Sequence, residues 1–184
     1  PDSDSDGRRL RGRVECGRLA VGDTLLLSPA NRSARLSALL DPASGEPKTG
    51  AAAGEAVELV LETPIPVPPG QLASHADTPP VETDVFRAKL LWAGIRPFAA
   101  GGRYGARLRG VEHPVTVQSI ERIVSTPDFA EQHDLSAVAG DIVECVLRVP
   151  ELVALDPFER CPPTGWLSLY DGEEAVAAGS IGME

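Results

Sequence analysis

No stretch of this sequence approaches the ~20 consecutive apolar residues that a membrane-spanning helix needs. Its opening, PDSDSDG, is acidic and polar rather than built like a secretory signal. The expected compartment is therefore the cytoplasm, without a membrane partner. Cysteine is scarce: Cys16, Cys145 and Cys161 are odd in number and form no C-x-x-C pair. That suits free, mostly buried thiols in a reducing compartment. Histidine is scarcer in function than in number, since His75, His113 and His133 have no second ligand at helix or hairpin spacing. They read as solvated loop residues and give no metal site. Positive charge is also short, with a formal net charge of −10. A protein whose main task is gripping nucleic acid usually shows the opposite balance, so such a partner is disfavoured. The chain starts at Pro1 without methionine and reads as a fragment of something longer.

Catalytic signatures are missing as well. Gly12–Gly17 has the spacing of a phosphate-cradling loop, but Arg18 and Leu19 follow where Lys and Ser/Thr are required. Gly101, Gly102 and Gly105 fail the dinucleotide pattern and read as a bend between strands. Ser74, His75 and Asp77 are neighbours in sequence, which does not make a triad. Glu173 and Glu174 flank the turn Asp171-Gly172 and read as solvated. The sequence offers no catalytic, cofactor-binding or metal-binding residue, and the fragment alone is not expected to be an enzyme.

What is present is strand and turn. Glycine at 18 and proline at 17, with few apolar-periodic stretches of helical length, favour many short strands. Gly12 to Asp23 (GRVECGRLAVGD) reads as an opening hairpin, with Gly17 and Gly22 supplying positive φ. Strand signals follow at Leu10–Glu15, Thr24–Ser28, Ser33–Leu39 and Ala56–Leu61. From Thr63 to Gly70, prolines 64, 66, 68 and 69 force an extended path around the outside or along the edge of a barrel. HADTPPVETD (His75–Asp84) is the best linker signal. Beyond it lie strand candidates Val85–Ala93, Tyr104–Arg109, Val111–Val124, Asp141–Val149, Gly165–Tyr170 and Ala175–Ile181, while Pro127–Val138 reads as a surface loop. Trp92 and Trp166 sit in apolar runs and read as core. The expected organisation is a disordered lead (1–7), a β-barrel (8–76), a linker (77–84) and a second β-barrel (85–184). The fold class is all-β, with two consecutive antiparallel barrels.

Charge is uneven. Residues 1–76 hold 8 basic and 10 acidic groups, and residues 77–184 hold 9 and 17. Yet Phe86 to Val111 carries Arg87, Lys89, Arg96, Arg103, Arg107 and Arg109 and no acid. Strand alternation places Arg87 with Lys89, and Arg107 with Arg109, on common faces. This run is either a solvated barrel face or a docking surface for an acidic partner or phosphate backbone. Arg87, Lys89, Arg103, Arg107 and Arg109 are the candidate docking residues.

The turn G-R-V-E-C-G followed by Gly22-Asp23 resembles the start of domain II in translation-factor-type GTPases. FRAKLLWAGIRPFAAGGRYGARL (Phe86–Leu108) is similar to the first hairpin of domain III in the GTPase subunit of bacterial ATP sulfurylase (sulfate adenylyltransferase), with Trp92, Pro97, Gly102 and Tyr104 in matching places. VTVQSIERIVSTPDF (Val115–Phe129) is similar to the next segment of that barrel. PPTGWLSLYDGEEAVAAGSI (Pro162–Ile181) resembles its closing segment through Thr164, Gly165, Asp171, Ala178, Gly179 and Ile181. Gly54–Asp77 is similar to the end of domain II. The pattern departs from the family at Pro69-Gly70-Gln71, where the family has Arg-Gly-Asp, and at Arg160–Pro163.

The resemblance implies the elongation factor Tu domain II and domain III folds. It also implies a parent that binds GTP and Mg²⁺ outside these residues and couples hydrolysis to adenylyl transfer from ATP to sulfate on a separate small catalytic subunit. The implied partners are the GTPase domain of the same chain, that small subunit and, in some relatives, an adenylylsulfate kinase fused beyond the position of Ile181. The alternative is the barrel pair of an elongation factor Tu-like protein that binds aminoacyl-tRNA, for which the basic run is the main support.

Overall fold

The computed structural model describes residues 2–3, 8–126 and 136–182. Every regular element there is a β-strand, and every pairing is antiparallel. The chain divides into two compact units, Pro1–Glu82 and Thr83–Glu184.

Unit one contains β1 (Asp2–Ser3), β2 (Arg9–Arg13), β3 (Arg18–Ala20), β4 (Thr24–Ser28), β5 (Arg32–Leu40), β6 (Pro47–Lys48), β7 (Gly50–Ala52), β8 (Ala56–Leu61) and β9 (Leu72–His75). The main sheet runs β1-β2-β8-β5-β4-β9, with β6 on β5, and β3 pairs β7 separately. Alternation puts Leu25 and Leu27 of β4 and Val57, Leu59 and Leu61 of β8 inside, and in β5 a register shift between Leu36 and Ala38 changes the parity so that Leu36 and Leu39 both bury. Each contributes about 1.5–3 kcal/mol of apolar transfer.

Several expectations change here. The glycine turn at Gly17 does not close a hairpin, because β2 pairs β8 and β3 pairs β7. Both sides of that long ladder break opposite each other, at Gly17 (φ 75) and Gly54 (φ 93). The break is stitched by Val14 N–H to Glu55 O at 2.9 Å and Ala53 N–H to Gly17 O at 3.0 Å. Two glycines at positive φ let both chains kink together, and that bend separates β3–β7 from the main sheet. The proline-spaced stretch is not purely external, since Ile65 and Val67 bury in this core between the prolines. Within the lead expected to be disordered, Asp2–Ser3 form β1 and pair with β2; residues 1 and 4–7 lie outside the described residues.

Next come β10 (Val81–Trp92), β11 (Phe98–Ala99), β12 (Arg103–Leu108), β13 (Val111–Val124), β14 (Ser136–Ala137), β15 (Ile142–Leu155), β16 (Trp166–Asp171) and β17 (Glu174–Gly182). β10 starts at Val81, inside the stretch read as linker. The strands close into a six-stranded barrel, β10-β15-β13-β12-β16-β17. Long β13 and β15 bend around it through register shifts between Val117 and Ser119 and between Ile120 and Arg122. Phe86, Ala88, Leu90 and Trp92 face inward on β10, as the alternation predicts. Trp92 lies 4.9 Å from the Phe98 ring and 5.5 Å from Tyr104, and its Nε1–H donates to Arg96 O at 3.1 Å.

Trp166 reverses its expectation: it is 49% exposed. Leu167 and Leu169 take the interior positions of β16, so Trp166 must project outward, where its ring lies 5.8 Å from Phe158. The expectation of three free thiols holds for Cys145 alone. Cys145 points into the barrel core, and burial pushes its thiol up to about 12. Most of the loop expected at Pro127–Val138 falls outside the described residues, and its end forms β14, paired with β11.

Candidate functional site

The basic run lies on β10 and β12 and in the turn after β12. Arg87 and Lys89 project from the outer face of β10, opposite Gly182 and Ser180 of β17. Neither is bare. Arg87 Nε lies 3.0 Å from both oxygens of Glu121, and Lys89 Nζ lies 3.2 Å from Glu144 Oε1. Arg107 sits 4.2 Å over the Tyr170 ring, donates to the Tyr170 hydroxyl at 3.2 Å and reaches Glu112 at 3.6 Å. Arg148 of β15 pairs with Asp84 at 2.5 Å on the same barrel, and Arg96 pairs with Asp171. Arg103 is exposed and has no ion pair among the described residues.

Arg109 behaves differently. β12 ends at Leu108, and Arg109 occupies the following turn with φ 49, so it does not share the outer face of Arg107. Its side chain is largely covered, and burial lowers the guanidinium pKa, opposed by Asp156. His113 shares this environment, where burial and then the Arg109 charge lower its pKa, while Glu151 raises it.

An acid-free stretch of sequence is thus not acid-free in space. The partners Glu112, Glu121, Glu144 and Asp171 come from β13, β15 and β16. Exposed pairs of this kind contribute about 0–1 kcal/mol each. They set a face of alternating sign in which Arg103 is the unpaired cation among the candidates.

A second feature escaped the sequence reading. An open cleft of about 550 Å³ in unit one is lined by Arg18, Leu19, Asp23, Glu55 and His75, with small residues of β3 and β7. Asp23 Oδ2 accepts from Ala20 N–H at 2.8 Å and lies 3.0 Å from His75 Nε2. The Ala20 amide, then His75, hold the Asp23 carboxyl below its usual range. Glu55 is likewise lowered, by the Ala52 amide and then Lys48. Both carboxyls are anions at neutral pH, so neither is set to donate a proton. His75 lies at the end of β9 rather than in a free loop. The only sequence signal for the pairing is the Gly22-Asp23 turn, and that says nothing of β9.

The glycine-spaced segment Gly12–Gly17 does not fit the phosphates of a nucleoside triphosphate with Mg²⁺. Gly12–Gly17 runs from strand β2 towards strand β3, without the helix N-terminus, lysine and hydroxyl that such a site uses. No group of three or more His, Cys, Asp or Glu comes together among the described residues. Among them, too, no helix is long and apolar enough to cross a membrane.

Comparison with known proteins bears on the closed barrel first. Residues 85–182 match the family model described as GTP-eEF1A C-terminal domain-like. The chain belongs to this family. Over 180 residues it is 31% identical to the bifunctional enzyme NodQ of Azospirillum brasilense, covering 96% of this chain and 28% of that protein. Over 179 residues it is 28% identical to sulfate adenylyltransferase subunit 1 of Laribacter hongkongensis (strain HLHK9), covering 96% of this chain and 37% of that protein. The family member therefore spans about a third of these curated relatives. A solved structure of Sup35 complexed with GDP matches with a TM-score of 0.84 and 18% identity, over 95% of this chain and 43% of that one. That likeness is one of fold. The all-β fold is thus shared with that structure, and the similarity to NodQ and to sulfate adenylyltransferase subunit 1 runs along nearly the whole chain.

Proposed function

We propose that this chain is the non-catalytic barrel portion of the large subunit of a GTP-dependent sulfate adenylyltransferase, serving interdomain coupling and docking to the catalytic small subunit. The observation that carries the reading is similarity to sulfate adenylyltransferase subunit 1 across 96% of the chain, through both units rather than the family barrel alone. In this proposal GTP and Mg²⁺ are bound by a GTPase domain outside these residues, in the cytoplasm. Nucleotide state changes how that domain packs on the barrels, and the barrels pass the change to the partner. The outer face of unit two, with Arg87, Lys89, Arg103 and Arg107 among its carboxylates, suits a polar docking contact whose charges set register more than affinity.

The test mixes the purified chain with the purified small subunit and reads complex formation by native mass spectrometry. A stoichiometric complex, weakened several-fold by Lys89→Glu with Arg103→Glu, is the expected result. Arg109 is left unchanged because it is covered. Absence of a complex overturns the proposal. Salt-sensitive binding of tRNA, lost in the reversed variant, replaces it with the aminoacyl-tRNA-binding alternative.

A further inference from the structure

Strand β2 carries Arg9, Arg11 and Arg13 at alternate positions, all exposed, with Leu10 buried between the first two. Their Cα atoms are about 6.8 Å apart along the strand. On the neighbouring strand β8, Glu58 points to the same side. It accepts from Arg9 Nη1 and Arg11 Nε, each at 2.8 Å, and is only 5% exposed. Each of its two oxygens accepts from one of these guanidiniums, which it holds upright. Arg13, the next outward residue, has no ion pair among the described residues.

The backbone faces the same way. Arg8 O accepts from Leu61 N–H of β8, and Val14 exchanges backbone bonds with Gly54 and Glu55, the residues just before β8. By antiparallel alternation, the even-numbered residues of β2 serve the β8 ladder, and the N–H and C=O groups of Arg9, Arg11 and Arg13 point to the opposite edge. Among the described residues that edge is covered by β1 alone, which pairs Asp2 with Arg11 and Ser3 with Leu10. In sequence, aspartates stand at 2, 4 and 6, the same two-residue period as the arginines.

We propose that the β2 edge is an acceptor for an extended acidic polypeptide segment, added antiparallel with carboxylates at alternate positions, and that the chain's own Asp2–Ser3 occupies this edge in the manner of such a partner. Strand addition uses the ladder groups of the edge for affinity and its outward side chains for specificity. The Arg9–Arg11–Arg13 row supplies both a matching period and a matching charge. A nucleic acid matches the charge but brings no ladder groups, and a chain of net charge −10 disfavours a long phosphate backbone. The proposal stands apart from the function proposed above, since it involves no residue of unit two.

The experiment uses the full chain carrying Asp2→Asn, Asp4→Asn and Asp6→Asn, which removes the carboxylate of Asp2 opposite Arg11 and the acidity of the residues that follow it in sequence without shortening the chain. The probe is a fluorescein-labelled Asp-Ser-Asp-Ser-Asp-Gly peptide, read by fluorescence anisotropy in 50 mM and 500 mM NaCl. The triple variant is expected to bind it at least ten-fold more tightly than the unchanged chain, with most of that affinity lost in high salt. Adding Arg13→Ser, which removes no ion pair seen in the fold, is expected to weaken binding at least five-fold while leaving the melting curve in place. The proposal is overturned if the triple variant binds no better than the unchanged chain or if an Asn-Ser-Asn-Ser-Asn-Gly peptide binds equally. Tighter binding of a single-stranded RNA hexamer than of the acidic peptide also overturns it.

Discussion

The two units solve the same problem, burying alternate residues of short antiparallel strands, with different means. Unit two closes its barrel and fills it, among the described residues, with 23 buried ones that include Phe86, Trp92 and Phe98. Unit one surrounds a core of 12 buried residues among those described, all aliphatic. Among the described residues its sheet path runs from β1 to β9 without closing, and β3–β7 stands apart. Closure removes strand edges, and with them the unpaired backbone groups that invite partners. The closed unit therefore presents function through side chains on its outer face, whereas the open one also presents backbone. The difference comes from residues: the glycine pair Gly17 and Gly54 breaks the ladder of unit one, while long β13 and β15 bend through register shifts and wrap unit two.

The sharpest way to break this comparison is Trp92→Ala. Trp92 is 2% exposed and joins Phe98 and Tyr104 at one end of the barrel. Its loss is expected to cost ~3–5 kcal/mol and to lower the melting transition of unit two, read by circular dichroism with urea titration. An unchanged transition would mean that the β10 register is wrong. Next is Gly179→Ala on β17. An added Cβ there would stand 1.9 Å from the Lys89 carbonyl oxygen, so β10 and β17 must separate. A loss of about 1–3 kcal/mol is expected, again confined to the closed unit, with faster hydrogen exchange along those two strands.

Unit one is probed at Asp23→Asn, expected to cost about 1 kcal/mol at neutral pH. The folded-state pKa of Asp23 is lowered, so the carboxylate's contribution is present above its unfolded value and fades as pH falls through the folded one. Wild type and variant should thus differ at pH 7 and converge in acid. A difference that persists at pH 2 would assign the loss to packing instead. The smallest effect belongs to the outer face of unit two, where Arg87→Ala and Lys89→Ala each remove an exposed pair with Glu121 or Glu144. A stability change within about 1 kcal/mol is expected from each, and a larger loss would show that those pairs help close the barrel.

Much of this architecture was legible in the sequence because strand burial has a strict period of two. Thr24–Ser28, Ala56–Leu61 and Val111–Val124 are strands with the limits that the turn residues marked. Trp92 reads as core because Phe86 and Leu90 share its parity. The same parity rule, applied to β16, turns Trp166 outward, and an apolar surrounding in sequence hides that. The docking candidates were only half legible. Arg87 and Lys89 do share the outer face of one strand, but their neutralising partners sit on other strands, and no local pattern announces them. Arg109 breaks parity because the chain turns one residue earlier than the alternation suggests.

Amino-acid order by itself determined that this chain is all-β and antiparallel, where most strands start and stop, and which side of each strand is apolar. These follow from local sterics and from the two-residue repeat, which operate within a few residues. Tertiary structure alone decided that β2 meets β8 rather than β3, that one unit closes and the other keeps edges, and that a basic run is interleaved with acids. Those outcomes depend on which strands become neighbours, a choice made by burial of the whole core, which then brings polar side chains to partners 30 to 75 residues away in the chain.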